Sequence, residues 1–582
     1  MVKKEFLSGN EAVARGAYEA GVLVASAYPG TPSTEILEAI SRYPEIYAEW
    51  APNEKVSLEV AFGASLGGAR TLVAMKHVGL NVAADPLFTI SYTGVKGGLV
   101  VITADDPDMH SSQNEQDNRH YARAAKIPMI EPSDSQEAKD FIKEAYRISE
   151  SFETPLLFRM TTRICHSSSI VELGERKEHP PSGYVKDIKK NVVIPSNARL
   201  RHQIVEERTK RLTQYALTSP LNKIEWKSKE LGIITSGISY QYVKEVLPDA
   251  SILKLGFSWP LSPQLIMQFA SGVKELWVVE ELDPFLETEI KAMGYKVKGK
   301  EAIPILGELN PNKVATAFKI NNYPGINEPE KGLPLRPPVL CPGCPHRGIF
   351  YNLHKLELTV FGDIGCYTLG MMPPLEAIDT CICMGAGVGN AHGIEKALGT
   401  SFSRKAVAVI GDSTFIHSGI TGLINIVYNK STATVVILDN FSTAMTGHQP
   451  NPATGKTIRG EDTFRLDFVK LAEAVGVKDV KVVNPFNLKK SYEALKEAVE
   501  NPEASVVISR APCALLSKKK APPFYVDADI CNSCFSCLDI GCPAIAKKEG
   551  KAWIDQLLCV GCSLCAGLCQ VGAILREVKK SE

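Results

Sequence analysis

Eight of the fifteen cysteines in this chain of 582 residues lie between Cys531 and Cys569, close to the C-terminus. The N-terminal segment lacks the apolar run of a signal peptide, so we expect a cytoplasmic protein whose cysteines stay reduced. Clustered reduced cysteines indicate a metal site. They fall into two groups, each with three cysteines two residues apart and a fourth further on: Cys531, Cys534, Cys537 and Cys542, then Cys559, Cys562, Cys565 and Cys569.

The spacing within each group predicts iron–sulfur clusters. Three thiolates two residues apart can bind one cubane cluster, with the fourth ligand coming from the other group. Zinc, the alternative, favours paired C-x₂-C units. The tail resembles bacterial two-cluster ferredoxins, from which it departs in the four residues before Cys542 and in Gln570, where proline is usual. We predict two [4Fe-4S] clusters, one held by Cys531, Cys534, Cys537 and Cys569 and the other by Cys542, Cys559, Cys562 and Cys565.

The charge balance narrows the set of partners. Lys+Arg and Asp+Glu both number 65, so the formal net charge is zero. This excludes a dominant nucleic-acid-binding surface or a surface for anionic membranes. No stretch reaches the roughly 18 apolar residues that cross a bilayer. We therefore expect neither a nucleic acid nor a membrane as partner.

Apolar strands alternate with helical segments along most of the chain, which predicts a multidomain α/β fold with parallel sheets. Runs such as 22–28, 71–77 and 98–105 read as buried strands, and 135–151 reads as a helix. The Cys-rich tail forms a separate ferredoxin-like module. The predicted boundaries are α/β domains at 1–175, 229–320 and 341–516, a charged linker or excursion at 176–228, a linker at 321–340 and the module at 523–582.

Two polar motifs end strands of the third α/β domain. Gly411, Asp412 and Ser413 follow the strand KAVAVI, and Asn440 ends ATVVILD. Both side chains would lie at the carboxyl edge of a parallel sheet, where such sheets bind ligands. Their oxygens suit Mg²⁺. The pair resembles the thiamine diphosphate motif GD(G/S)…N, and the resemblance adds the backbone carbonyl of Ser442 as a Mg²⁺ ligand.

A glycine-rich stretch upstream, MGAGVGNAHG at 384–393, is placed at a strand-to-helix turn. The backbone N–H groups around Gly385 and Gly387 are therefore candidates to bind a phosphate. The alternative is a dinucleotide site, but the glycines read G-x-G-x-G and not G-x-G-x-x-G. The acidic residue about twenty positions on, which that motif requires, is Asp412 inside the GDS motif.

Thiamine diphosphate enzymes use a second domain that binds the aminopyrimidine through a carboxylate. Glu54 lies in the first domain, nine residues before Gly63 on a segment expected to be helical, and resembles this activating glutamate. Glu59 is the second candidate. The structural alternative is a solvated glutamate at a helix start, where the helix dipole favours it.

Two further segments resemble the 2-oxoacid:ferredoxin oxidoreductases. Residues 28–33, YPGTPS, are similar to their YPITPSS loop, whose threonine faces the substrate carboxylate, and this implies that role for Thr31; a helix N-cap is the alternative. CPGC at 341–344 is similar to the opening of their thiamine-binding subunit. The resemblance implies a third cluster, as a hypothesis, on Cys341, Cys344, Cys366 and Cys513, with a zinc half-site or buried thiols as alternatives.

The domain order resembles the large subunit of the indolepyruvate-type members of that family. The resemblance implies oxidative decarboxylation of aryl 2-oxoacids with coenzyme A, and transfer of the electrons to ferredoxin. It also implies a smaller beta subunit with the gamma-type domain, in a heterotetramer of two alpha and two beta chains. The histidines His346, His417 and His448 stay open between proton transfer and structural roles.

Other activities remain alternatives at this point. A different, pyruvate-like 2-oxoacid would suit the same motifs. A non-oxidative thiamine diphosphate decarboxylase would explain Glu54, Asp412 and Asn440 but not the cysteines. An electron-carrier subunit would explain the cysteines but not the predicted magnesium motif.

Overall fold

The computed structural model describes residues 3–321, 323–324, 334, 336–516 and 521–576. The chain divides into two compact units, Met1–Lys331 and Gly332–Glu582. In the described part of the chain, no helix has both the length and the apolar character needed to cross a membrane. Most of the predicted linker at 321–340 lies outside the described residues.

The first unit is built on a seven-stranded sheet whose inner strands are buried on both faces. Such strands are unbroken apolar runs, as expected of parallel sheets covered by helices. The runs predicted at 22–28, 71–77 and 98–105 are confirmed as strands. In spatial order the strands are Phe257–Trp259, Met129–Ile130, Leu156–Thr161, Leu99–Asp105, Thr71–Lys76, Val24–Ala27 and Tyr47–Trp50, of which only the first is antiparallel to its neighbour.

Helices cover this sheet, and the longest of them before residue 175 is the predicted one, Ser135–Ser151. Asp134 caps it by accepting a hydrogen bond from the backbone nitrogen of Glu137, which satisfies one free N–H of the first turn. A two-stranded antiparallel sheet joins Lys4–Ser8 to Ser168–Glu172. The remaining helices are Gly9–Glu19, Thr34–Ile40, Glu54–Leu66, His77–Val82, Ala84–Thr93, Arg119–Ala125 and Thr162–His166, with a 3₁₀ turn at Pro107–Met109.

The prediction of an irregular excursion over 176–228 is wrong for its second half. A short helix, Ile188–Asn191, is followed by a 24-residue helix, Pro195–Thr218. The long helix is mostly polar, and a narrow stripe of it is buried. Because the buried positions recur every three or four residues, one face packs while the others stay in solvent. These positions are Val205, Arg208, Leu212 and Ala216.

The middle domain has a four-stranded sheet ordered Glu275–Val279, Leu231–Ser236, Ser251–Leu255 and Asn222–Glu225. The last strand is antiparallel to its neighbour and lies before the predicted start at 229. Strand Phe257–Trp259 leaves the domain to join the first sheet, so the predicted boundary at 229 does not separate two independent sheets. The helices are Ser239–Val246, Pro263–Ala270, Phe285–Ala292 and Pro311–Ala317.

The second unit contains a parallel sheet of five strands, as predicted for 341–516. Alternate residues of Ala406–Gly411 enter two different cores, with Val407 and Val409 in one and Ala408 and Ile410 in the other. Side chains alternate between the two faces of a strand, so helices cover both faces. The strands in order are Thr359–Phe361, Ala406–Gly411, Thr434–Asp439, Ser505–Arg510 and Asp479–Val483; the helices are His346–Lys355, Ala386–Leu398, Thr400–Ser403, Asp412–Thr414, Ile420–Tyr428, Phe468–Ala474 and Leu488–Glu500, with a 3₁₀ segment Cys366–Met371 and a π turn Phe415–Gly419.

The Cys-rich module has two short antiparallel pairs, Phe524–Val526 with Ile574–Arg576 and Ile545–Lys548 with Lys551–Ile554. A 3₁₀ turn, Ser536–Leu538, and a helix, Leu564–Leu568, carry cysteines. Cysteines also make up much of its small core. A core of this size and composition fits a small domain that a bound metal stabilises.

Candidate active site

The side chains of Asp412 and Asn440 meet at the carboxyl edge of the five-stranded sheet. They follow adjacent parallel strands, as predicted. Oδ2 of Asp412 lies 3.3 Å from the backbone nitrogen of Ser442, and Oδ1 of Asn440 lies 3.1 Å from the same nitrogen. The structure therefore brings a carboxylate oxygen and an amide oxygen to one point.

This edge has an excess of negative charge. Burial, together with the charge of nearby Asp439, raises the pKa of Asp412 to about 7. Arg510 pairs with Asp439 at 2.7 Å, whereas no cationic side chain of the described residues lies within 4 Å of Asp412. The buried hydroxyl of Ser442 has no hydrogen-bond partner in the described residues. A set of hard oxygen atoms that lacks a cation fits Mg²⁺ with a diphosphate.

His346 orients Asn440. The amide Nδ2 of Asn440 lies 3.4 Å from Nε2 of His346 and donates to it. Burial lowers the pKa of His346 to about 4, so the ring is neutral and Nε2 can accept. His346 thus orients the side chain of Asn440, and its Nε2 serves as a hydrogen-bond acceptor and not as a proton carrier. The other two histidines have different neighbours: His417 Nδ1 lies 2.5 Å from Ser418 Oγ, and His448 Nε2 lies 3.7 Å from Cys513 Sγ.

The glycine-rich stretch is preceded by a loop and not by a strand, and helix Ala386–Leu398 begins inside it. The N–H groups of Gly385 and Gly387 donate to Oδ2 of Asp363, at 2.8 and 3.4 Å. A Cβ at Gly387 would lie 2.6 Å from the Phe361 carbonyl oxygen. In the structure both N–H groups are therefore used by Asp363, which the sequence analysis missed, and Gly387 permits close packing. Phosphate binding by these groups stays a prediction.

In the first unit, Glu54 is buried and begins the helix Glu54–Leu66, with Asn53 as its N-cap. Its carboxylate faces the helix His77–Val82, where a Cβ at Gly79 would lie 2.5 Å from its Oε1. The second candidate, Glu59, is half exposed and forms an ion pair with Lys55. Glu54 therefore has the enclosed setting that a cofactor-binding carboxylate needs.

The N-cap alternative for Thr31 is wrong, because the next helix begins at Thr34 and is preceded by Ser33. Lys76, which ends its strand, lies beside this loop: a Cβ at Gly30 would be 3.0 Å from Lys76 Cβ. The Lys76 ammonium donates to the Ser111 carbonyl at 2.5 Å, and Ser111 Oγ donates to the Thr31 carbonyl at 3.4 Å. Lys76 was not among the residues predicted from the sequence, although a charged residue at the end of a buried strand is a usable signal.

Lys76 is a buried cation with no carboxylate of the described residues within 4 Å. Burial lowers the pKa of Lys76 to about 8, and the charge of Asp106 partly offsets this. A buried ammonium with only hydroxyl and carbonyl partners can bind an anion. The segment 76–79, which joins the preceding strand to the helix His77–Val82, therefore contacts both the Thr31 loop and Glu54.

The four cysteines of the hypothetical third cluster lie near one another, and we call them the CPGC group. Burial raises the pKa of Cys344 to about 12 and that of Cys366 to about 11. The charges of Cys341 and Cys513 contribute to both increases. The group adjoins the Asp412 site, because the backbone nitrogen of Cys513 donates to the Asn440 carbonyl at 3.0 Å.

The eight tail cysteines separate into the two sets that the sequence analysis paired. Burial raises the pKa of Cys565 to about 12 and that of Cys537 to about 11. Neighbouring cysteines contribute to both increases: Cys562, Cys542, Cys559 and, least of these, Cys537 act on Cys565, whereas Cys569, Cys534 and Cys531 act on Cys537. Each set thus combines three cysteines of one run with the last cysteine of the other.

One set lies against the CPGC loop. A cleft there is lined by Pro342 and Gly343 together with Cys542, Cys559, Cys562 and Cys565. We call these four cysteines the inner group, and Cys531, Cys534, Cys537 and Cys569 the outer group. Cys534 of the outer group is exposed.

Family models match three segments of the chain. Residues 15–218 match "Pyruvate flavodoxin/ferredoxin oxidoreductase, thiamine diP-bdg", and residues 363–509 match "Thiamine pyrophosphate enzyme, C-terminal TPP binding domain". Residues 552–575 match "4Fe-4S binding domain". These matches include Glu54, Asp412 and part of the Cys-rich module, so they agree with the predicted cofactors, thiamine diphosphate and [4Fe-4S] clusters.

Curated relatives match nearly the whole chain. The indolepyruvate oxidoreductase subunit IorA of Archaeoglobus fulgidus is 44% identical over 98% of this chain and 97% of its own length, and that of Pyrococcus horikoshii is 40% identical over 100% and 98%. A solved 2-oxoglutarate:ferredoxin oxidoreductase from Magnetococcus marinus, with 2-oxoglutarate, coenzyme A and succinyl-CoA bound, has 16% identity and a TM-score of 0.46, covering 55% of this chain and 65% of that one.

Fold, site and relatives together define a class of enzyme, the thiamine-diphosphate-dependent 2-oxoacid:ferredoxin oxidoreductases that bind [4Fe-4S] clusters. Within that class, the chain belongs to the family of the indolepyruvate oxidoreductase subunit IorA.

Proposed function

We propose that this chain is the catalytic subunit for oxidative decarboxylation of aryl 2-oxoacids of the indolepyruvate type, with coenzyme A as acyl acceptor. One observation carries the redox part of the proposal: the Asp412–Asn440 edge is hydrogen-bonded to Cys513 of the CPGC group. A carbanion-forming site placed against a cysteine group suits electron removal. The aryl preference is supported by the name of the relatives.

Asp412, Asn440 and the Ser442 carbonyl would hold Mg²⁺ and, through it, the diphosphate. Bound thiamine diphosphate supplies a carbanion for attack on the keto carbon and an electron sink once CO₂ has left. The enclosed Glu54 would bind the aminopyrimidine and hold a proton at that ring. His346 accepts a hydrogen bond from the Asn440 amide nitrogen, which would leave the amide oxygen available to hold Mg²⁺.

Thr31 and Lys76 would bind the carboxylate that the substrate loses. The Lys76 ammonium supplies the charge, and Ser111 links it to the Thr31 loop. A cation fixed beside the loop would orient the 2-oxoacid so that its keto carbon faces the cofactor. The carboxylate leaves as CO₂, so this contact serves binding and alignment.

Electrons would leave through the CPGC group, then the inner group, then the outer group. This order is supported by the cleft that the CPGC loop shares with the inner group and by the exposure of Cys534. A soluble ferredoxin would accept electrons at the outer group. A smaller beta subunit would complete a heterotetramer of two alpha and two beta chains and contribute to coenzyme A binding.

An anaerobic substrate panel with the holoenzyme tests this function. We expect kcat/KM for indolepyruvate and phenylpyruvate to exceed that for pyruvate and 2-oxoglutarate by at least about tenfold, since pocket contacts discriminate on that scale. Ferredoxin reduction should require coenzyme A. A preference for pyruvate would overturn the aryl assignment, and aldehyde release without ferredoxin reduction would indicate a non-oxidative decarboxylase.

A further inference from the structure

We infer that Arg347 couples the CPGC group to the inner group, fastening the two together and raising the reduction potentials of the clusters on both sides. This inference rests on the proposed function, since it presupposes a cluster in each group. It adds a positioning residue for electron transfer that acts through hydrogen bonds and charge, without ligating iron.

The hydrogen bonds of Arg347 join two parts of the second unit. Its Nε donates to the Cys341 carbonyl at 3.1 Å, and one terminal nitrogen donates to the Leu340 carbonyl. Its Nη1 donates to the carbonyls of Ile540, at 3.2 Å, and Gly541, at 2.5 Å. The guanidinium therefore holds the start of the CPGC loop and the turn just before Cys542.

The CPGC loop and the segment that carries the inner group also pack closely against each other. Gly343 has a positive φ of 70°, and a Cβ there would clash with the side chain of Val560. The same Cβ would lie 3.6 Å from Cβ of Cys562. The loop backbone therefore touches the segment that carries the inner group, and the Arg347 guanidinium bonds the same loop.

The positive charge of Arg347 lacks an ordinary counter-ion. The side chain is buried, and no carboxylate of the described residues lies within 4 Å of it. Its partners in hydrogen bonding are four carbonyls. The groups beside it that can become anionic include cysteines of both groups, Cys542, Cys344, Cys341 and Cys562. A buried cation needs a compensating charge, and cysteine-ligated clusters on both sides would supply it.

This placement has a redox consequence. Reduction adds one negative charge to a cluster, so a fixed cation nearby stabilises the reduced form and raises its potential. One charge at about 10 Å, in an effective dielectric constant of about 20, changes a one-electron equilibrium by roughly tenfold. Because the guanidinium lies beside the CPGC and inner groups, its charge should change the reduction potential of the outer cluster least.

The test is anaerobic redox titration of the holoenzyme followed by EPR, comparing Arg347→Met with Arg347→Lys. The Met variant should keep its iron and show two clusters with more negative potentials, each reduction equilibrium shifted by roughly tenfold, and an unchanged third cluster. The Lys variant keeps the charge and should stay close to wild type. Lys551→Met is the matched control: its ammonium contacts the Cys531 carbonyl, so it should shift only the outer cluster.

Unchanged potentials in an iron-replete Met variant would overturn the inference, as would equal shifts in the Met and Lys variants. Should Arg347→Met fail to assemble its clusters, Arg347→Gln takes its place, because glutamine keeps a hydrogen-bond donor without the charge. Unchanged potentials in that variant, or shifts equal to those of the Lys variant, would likewise overturn the inference. A wild-type protein without iron would overturn the proposed function and this inference together, whereas fully assembled clusters with unchanged potentials would overturn this inference alone.

Discussion

At the scale of single residues, the candidate site contains two buried ionisable groups without a partner of opposite charge among the described residues. Asp412 lacks a cation and Lys76 lacks a carboxylate among the described residues. Leaving a charged group buried and unpaired is costly. We interpret each as one half of an interaction that a bound group completes, with Mg²⁺ at Asp412 and the substrate carboxylate at Lys76.

Asp412→Ala should weaken Mg²⁺-dependent thiamine diphosphate binding by about 100-fold or more, since loss of a ligand exceeds the 10–100-fold cost of losing a group that supports one. The iron content should not change. Isothermal titration with the cofactor measures the effect. Asp462→Ala removes an exposed aspartate of the same unit and should bind normally; equal affinity in both variants would contradict the magnesium assignment.

Gly79→Ala should displace the Glu54 carboxylate, because the new Cβ would lie 2.5 Å from Oε1. We expect kcat to fall by about 100-fold, the scale at which a misplaced catalytic group loses activity, with little loss of folded protein. Gly63→Ala, on the Glu54 helix, meets no atom within 4 Å and is the control. Full activity in Gly79→Ala would argue against Glu54 as the activating carboxylate.

Lys76→Met should raise KM for the 2-oxoacid by about tenfold or more, because charged hydrogen bonds contribute roughly 1.5–3 kcal/mol. The apparent affinity for thiamine diphosphate should not change. Steady-state kinetics, with Lys55→Met as an exposed control on the neighbouring helix, checks this. A change confined to the cofactor would mean that Lys76 does not bind substrate.

At the scale of elements, buried strands were predictable and the long helix was not. Strands such as Thr71–Lys76 are unbroken apolar runs, and position in the sheet then places Asp412 and Asn440 together. Helix Pro195–Thr218 buries only a narrow stripe and is otherwise largely polar, so its composition resembles that of a linker. Asp363 and Lys76 were missed because they match no motif, although both stand at the ends of buried strands.

Leu212→Ala tests whether that stripe anchors the helix. Leu212 is 1% exposed, and truncating a buried leucine costs about 2–5 kcal/mol. The urea midpoint, followed by circular dichroism, should fall accordingly. Leu217 is 40% exposed on the same helix, so Leu217→Ala should stay within about 0.5 kcal/mol. Equal effects would mean that the helix does not pack through this stripe.

At the scale of the whole molecule, one chain combines the predicted thiamine diphosphate site with three groups of cysteines. The two tail sets are predictions from spacing that follows a known ligand pattern, whereas the CPGC group is a prediction from the family resemblance. Neither pattern predicts Arg347, whose partners Ile540 and Gly541 lie far along the chain. Contacts of that kind depend on how the Cys-rich module folds against the CPGC loop.

Cys534→Ala removes the exposed cysteine of the outer group. Ferredoxin reduction should fall at least about tenfold, because the terminal cluster would be lost or altered. Reduction of the CPGC and inner clusters by substrate, followed by EPR, should persist. Cys165→Ala, at a buried thiol outside all three groups, is the control; undiminished ferredoxin reduction in Cys534→Ala would contradict the exit through the outer group.

The most direct test of the central claim is rapid-freeze EPR of the oxidised holoenzyme mixed with indolepyruvate under anaerobic conditions. We predict that signals of reduced [4Fe-4S] clusters appear within the turnover time when thiamine diphosphate and Mg²⁺ are bound, and not when both have been removed. Cluster reduction that is independent of thiamine diphosphate, or substrate consumption that leaves every cluster oxidised, would contradict it.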